Sequence, residues 1–159
     1  MRTLSESVRR QPRLAAFLLI LVLTALAYAN RFIQDDAFIS FRYARHLAEG
    51  FGPTWNLNEP PVEGYTNFLW VLLMAIPHRL GLPAVEFSYA VGLLCFVGTL
   101  MLTWRAARHI VDDSAALLAL LLLGTNYSFS AYATGGMETQ LQAMLFMAAA
   151  LIVLDLRQG

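Results

Sequence analysis

Two adjacent carboxylates, Asp35 and Asp36, follow closely on an apolar run that ends at Asn30. Acidic side chains beside hydrocarbon are costly and mark places where the acid is used. A carboxylate at such a boundary can take the proton of a hydroxyl, which is general-base chemistry on an acceptor alcohol. The competing reading is architectural. Over residues 37–49 the pattern predicts an amphipathic helix, with Phe38, Phe41 and Ala44 on one side and Arg42, Arg45 and Glu49 on another. Gly50 and Gly52-Pro53 end it. Asp35 or Asp36 would then be its N-cap, favoured by the helix dipole, and Arg42 could pair with either acid.

The surrounding chain must hold these acids at a membrane. Hydrophobic residues make up 58% and charged residues 14%, with a mean hydropathy of +0.55. Soluble domains run at about 45–50% apolar and about 25% charged. The apolar residues come in blocks rather than at amphipathic spacing, which predicts an all-α integral membrane protein with about four transmembrane helices. The expected spans are residues 13–30, 87–104, 115–131 and 141–156, the last slightly short. The run Phe68–Ile76, within segment 66–80, is too short to cross and ends in Pro77-His78-Arg79. It is expected to lie at the interface. Asn126, inside the third span, is expected to hydrogen-bond a neighbouring helix.

Arg2, Arg9, Arg10 and Arg13 stand before the first span, and Arg105, Arg108 and His109 after the second. By the positive-inside rule, residues 1–12 and 105–114 are cytoplasmic, and loops 31–86 and 132–140 share the outer face. The expectation is a multi-pass protein of the inner (plasma) membrane, with the lipid bilayer as its first partner. A cleavable signal peptide competes for the first span, because Ala27-Tyr28-Ala29 looks like a small-residue cleavage site. A net charge of zero gives no support for nucleic-acid binding. The lone Cys95 cannot form an intrachain disulfide. No Cys/His cluster has zinc spacing, and no Gly-rich phosphate loop is present.

The string Asp35-Asp36-Ala37-Phe38-Ile39-Ser40-Phe41-Arg42-Tyr43-Ala44 resembles the first extracytoplasmic loop of GT-C glycosyltransferases. Protein O-mannosyltransferases and aminoarabinose lipid A transferases carry an Asp-Glu pair there, and they align on Asp35 as the leading acid. The oligosaccharyltransferase catalytic subunit carries an Asp, then aromatics, then an Arg six residues on. Asp36, Phe38 and Arg42 match that spacing. Together with Val62-Glu63-Gly64-Tyr65-Thr66-Asn67-Phe68-Leu69-Trp70, the string looks most like bacterial GT-C proteins grouped with the arabinofuranosyltransferases of actinobacterial cell walls. A third piece, Thr134-Gly135-Gly136-Met137-Glu138-Thr139, falls where related transferases place an outer-face acid after the third span.

The resemblance implies an inverting transfer of a sugar from a polyprenyl-phosphate donor to a hydroxyl on a glycan, lipid or protein acceptor. Asp35 or Asp36 would be the catalytic base, and the residues leave open which. Arg42, Arg45 and Arg79 would meet the leaving phosphate, and His78 could donate to it. Each of these has a plainer role as an interfacial anchor, a salt-bridge partner or a segment end. Glu63, Tyr65 and Asn67 would bind sugar hydroxyls, or else form a turn with interface aromatics. Glu138 would bind substrate or, with Asp36, hold a divalent metal (Mg or Mn). Its plainer role is a helix N-terminal acid. A single acid at this place leaves a metal site weakly founded.

GT-C enzymes carry many more spans, so the chain is expected to be the N-terminal portion of a larger transferase, partnered by a missing C-terminal portion. The alternative is a small non-enzymatic membrane protein or accessory subunit on the same scaffold. A transporter fragment is less consistent, because its polar groups would sit mid-membrane on broken helices.

Overall fold

The computed structural model describes residues 11–158, and every regular element among them is an α-helix. They are α1 (Pro12–Ala29), α2 (Ala37–Ala48), α3 (Phe68–Leu80), α4 (Ala84–Ala107), α5 (Asp113–Thr125), α6 (Tyr127–Ala131) and α7 (Thr139–Gln158). The expected cytoplasmic segment 1–12 lies almost wholly outside the described residues.

Helix α1 begins with Pro12 in its first turn, where the missing N–H is no loss. Ala16, Ile20, Leu23 and Ala27 make one buried stripe at helical spacing. Leu14, Phe17, Leu18, Leu21, Val22 and Leu26 are each about half exposed on the other faces. A helix apolar all round, with small residues turned inward, suits lipid on its outside. Three helices are long and apolar enough to cross a membrane, α1, α4 and α7. At 1.5 Å per residue, the 18 residues of α1 extend about 27 Å, close to the hydrocarbon thickness.

The expected segment 115–131 is not one helix. α5 stops at Thr125 after 13 residues, and Asn126 takes an extended conformation (φ −61°, ψ 119°). Its side-chain oxygen accepts from the Phe129 N–H at 3.0 Å, capping the start of α6. Asn126 therefore breaks the segment locally instead of bonding across to another helix. Asn competes well for backbone partners, and here it restarts the chain as a cap.

Helices α1, α4 and α5 share one core, in which Ile20 and Leu23 meet Phe96, Leu100 and Leu120. α7 lies along α4. Gly98 lets the two approach closely, since a Cβ there would stand 2.6 Å from Met144 Sδ. α2 and α3 run side by side in the same direction: Ser40 bonds Asn67 near their starts, and Arg79 reaches Ala48 O near their ends. Their shared core joins Ala37, Phe41, Tyr43 and Ala44 to Trp70, Val71 and Met74. The buried face of α2 differs from the expected one. Phe41 and Ala44 are inside, but Phe38 is 50% exposed, and Ser40, Tyr43 and His46 are buried instead. α3 continues through Pro77 to Leu80 and ends on Gly81 in the left-handed region (φ 68°).

The bundle has two distinct ends. At one, Arg105 and His109 reach Asp155 at 2.8 and 3.2 Å, and Arg108 pairs with Asp113 at 2.6 Å. At the other, segment 30–36, the start of α3 and loop 132–138 are packed together.

Candidate functional site

Loop 132–138 is held by hydrogen bonds that use both backbone and side-chain groups. Gln34 N–H donates to Gly135 O at 3.1 Å, and Phe32 N–H donates to Thr134 Oγ1 at 3.3 Å. The Trp70 indole N–H donates to Gly136 O at 2.9 Å from a fully buried position. Gly136 lies at φ +77°, and a Cβ there would overlap Ile33 Cδ1 and stand 2.8 Å from Ala37 Cβ. Glycine is thus needed twice over, for its conformation and for its lack of bulk. Behind the loop, a Cβ at Gly92 of α4 would run into the Ala133 carbonyl oxygen. Gln140 Nε2 donates to Phe129 O at 2.6 Å and ties α7 to α6.

This scaffold brings three polar side chains together. Asn67 Nδ2 donates to Glu138 Oε2 at 2.8 Å and also lies 3.0 Å from Ser40 Oγ. Ser40 is buried, while Asn67 and Glu138 are partly open. Asn67 and Glu138 also border a groove of about 300 Å³ whose apolar wall includes Leu69, Leu141 and Leu145. Glu138 stands directly before α7, the position of an N-terminal acid, but its carboxylate answers Asn67. Two buried amide oxygens, Gln34 Oε1 and Gln140 Oε1, have no hydrogen-bond partner among the described residues.

Asp35 and Asp36 occupy the turn that opens α2. Both are exposed, and among the described residues neither carboxylate has a hydrogen-bond or ion-pair partner. The architectural reading of the pair is not what the structure displays. Asp36 itself has helical angles (φ −61°, ψ −22°) and makes no side-chain cap. The first N–H groups bond backbone oxygens instead: Ala37 to Gln34, Phe38 to Asp35 and Ile39 to Asp36. The two carboxylates are left free at the same end of the bundle as Glu138.

The remaining candidates are spread out. Arg42 turns away from the acid pair. Its Nε donates to Trp55 O and its Nη2 to Asn56 Oδ1, both at 2.8 Å, and its guanidinium lies 4.2 Å from the Trp55 ring centre. Arg45 sits 3.9 Å from Glu49 on an exposed face. Glu63 is exposed and unpaired among the described residues. Tyr65 stacks on Phe68 at 5.9 Å and meets Tyr43 edge-on at 4.7 Å. His78 lies at the far end of α3 in the field of Arg45 and Glu49, where burial first, and Arg45 second, hold its pKa below the ordinary value. The geometry therefore joins Asn67 and Glu138 and leaves Arg42, Arg45 and His78 elsewhere.

Ser40, Trp70 and Gly136 were not singled out from sequence as site residues. Ser40 falls four residues after Asp36, on the buried face of α2. Trp70 closes the string in which Asn67 stands. As to a divalent metal, no group of three or more His, Cys, Asp or Glu among the described residues is placed to hold one. Asp36 and Glu138 alone are a poor donor set for hard cations, which take six or more oxygens, and no step is derived through a metal. Compared with protein-family models, curated proteins and solved structures, the chain matches none of them.

Proposed function

We propose that this chain serves in a membrane glycosyltransferase of the GT-C type, using a polyprenyl-phosphate sugar as donor and a hydroxyl as acceptor. The membrane crossings would be α1, α4, α7 and a fourth made by α5 continued as α6, with the acid pair on the extracytoplasmic face. The acceptor oxygen attacks the anomeric carbon as the bond to the lipid phosphate breaks on the opposite face. Its proton passes to Asp35 or Asp36, and the lipid phosphate departs with the bonding electrons. Asn67 and Glu138 would position sugar hydroxyls beside the pair.

The observation that carries this reading is the freedom of the two exposed carboxylates at an end of the bundle where Asn67 and Glu138 also converge. A purely architectural pair would be capping or salt-bridged. The test is sugar transfer from a radiolabelled polyprenyl-phosphate donor in membranes carrying Asp35→Asn or Asp36→Asn. Loss in at least one variant supports the reading, and full activity in both removes it. A non-enzymatic scaffold role is favoured by one observation, the engagement of Arg42 through its Nε and Nη2 with Trp55 and Asn56, which anchors its guanidinium on that loop instead of at the acid pair. The same measurement separates the two.

A further inference from the structure

A groove of about 700 Å³ runs between α1 and α4 at the end of the bundle away from the acid pair. Its walls are apolar, built from Phe17, Ile20, Leu21, Val97, Met101 and Trp104. Its other lining residues at that end are Arg13, Arg105, Arg108 and His109, and among the described residues no acidic side chain lines it. Two acids outside the lining pair with these cations: Asp155 takes Arg105 and His109, and Asp113 takes Arg108. Arg13 is exposed at the start of α1 and has no ion-pair partner among the described residues. Arg108 also lies 5.5 Å from the Trp104 ring centre, which fixes its guanidinium beside the apolar wall.

An apolar slot about 16 Å long, the rise from Arg13 to Thr24, with cations at one end only, matches an amphiphile of one orientation. We infer that this groove is a binding site for an anionic glycerophospholipid, with an acyl chain between α1 and α4 and the phosphate at Arg13 beside Arg105 and Arg108. A zwitterionic lipid would bring its own cation to a rim that already carries positive charge. A partner helix would fill the apolar walls but offers nothing to the arginines unless it ends there in acids. Basic pockets between membrane helices are a recurrent means of holding anionic headgroups. The proposal does not depend on the transferase reading, since it uses the opposite end of the bundle.

The test is native mass spectrometry of the full chain extracted from vesicles of equal phosphatidylglycerol and phosphatidylethanolamine. The expected result is retained phosphatidylglycerol over phosphatidylethanolamine, with Arg13→Gln lowering that preference about fivefold, as one interfacial cation should. Arg13→Lys should keep most of it. Leu21→Trp, which narrows the slot from a half-exposed position, should displace lipid without changing helicity by circular dichroism. Equal retention of the two lipids by the unaltered protein would overturn the inference, whatever the variants do. So would a lipid-free dimer cross-linked through cysteines placed at Leu21 and Met101.

Discussion

Glu138 accepts a 2.8 Å hydrogen bond from Asn67 Nδ2 across a sequence separation of 71 residues. This bond joins the start of α3 to the start of α7 and passes on to Ser40 of α2. Glu138→Gln can still accept from Asn67, so it should melt within about 0.5 kcal/mol of the unaltered chain. Glu138→Ala leaves the half-buried amide short of a partner and should cost about 1–2 kcal/mol. Thermal unfolding in detergent, followed by circular dichroism, measures both. If Glu138 also positions substrate, the Gln variant should show a raised KM for acceptor while its melting point is unchanged.

The acid pair should behave in the opposite way. Asp35 and Asp36 neither cap α2 nor pair with Arg42, so Asp35→Asn and Asp36→Asn should each leave stability within about 0.5 kcal/mol. Sugar transfer by the variant lacking the base should fall by about 100- to 10,000-fold. A melting point that drops in step with activity would point to a structural acid instead.

How much of this was legible in the sequence depends on the range of the interaction. The helices α1, α4 and α7 stand within three residues of the expected spans 13–30, 87–104 and 141–156, because uninterrupted apolar runs carry their own signal. Asn126 was harder to read. Its capping of Phe129 and its hydrogen bond to a neighbouring helix draw on the same side chain, and only the local backbone decides between them. The buried face of α2 was misplaced for a tertiary reason. α3 packs beside Ala37 and Phe41 and leaves Phe38 outside, where its edge-on contact with Phe41 at 5.7 Å does not hide it. The tie between Asn67 and Glu138 rests on loop 132–138 being seated by Trp70, which no periodicity records.

Gly136 offers a sharp test of that seating. At φ +77° any L side chain is strained, and a Cβ would press on Ile33 and Ala37 from the start of α2. Gly136→Ala should therefore cost about 1–3 kcal/mol. Gly135→Ala, whose Cβ would lie 3.2 Å from Tyr132 Cδ1 and 3.6 Å from Phe32 Cζ, should cost less. Comparing their melting points checks whether the second glycine, and not the first, is the one the loop requires.

His78 gives a pH dependence of known sign. Burial, with Arg45 second, lowers its folded pKa below the ordinary 6.5, against smaller raising effects from a hydrogen bond with the Phe41 backbone and from Glu49. The unfolded chain then takes the proton at a higher pH than the folded one. Stability from this group is present in full above about pH 6.5 and declines as pH falls through the window beneath it. His78→Asn should flatten that slope in melting curves taken between about pH 7 and pH 5. A slope unchanged by the substitution would assign the dependence to other groups.

The two ends of the bundle should be distinguishable from outside an intact cell. Ile110, 70% exposed, lies beyond the end carrying Arg105, Arg108 and Asp155, whereas Glu63 is exposed on the long loop beside α2 and Tyr43. In the proposed arrangement α3 lies at the interface and α4 crosses once between these regions, which puts a single cysteine at each position on opposite sides of the bilayer. The proposed orientation puts Glu63→Cys within reach of an impermeant maleimide added to cells and leaves Ile110→Cys unlabelled until the membrane is opened. To avoid a competing thiol, both would be made with Cys95, which is buried, replaced by Ala. Labelling of Ile110→Cys alone would invert the topology and put Asp35, Asp36 and Glu138 on the cytoplasmic face. The acid pair could then not act on an extracytoplasmic acceptor, even with the contact between Asn67 and Glu138 intact.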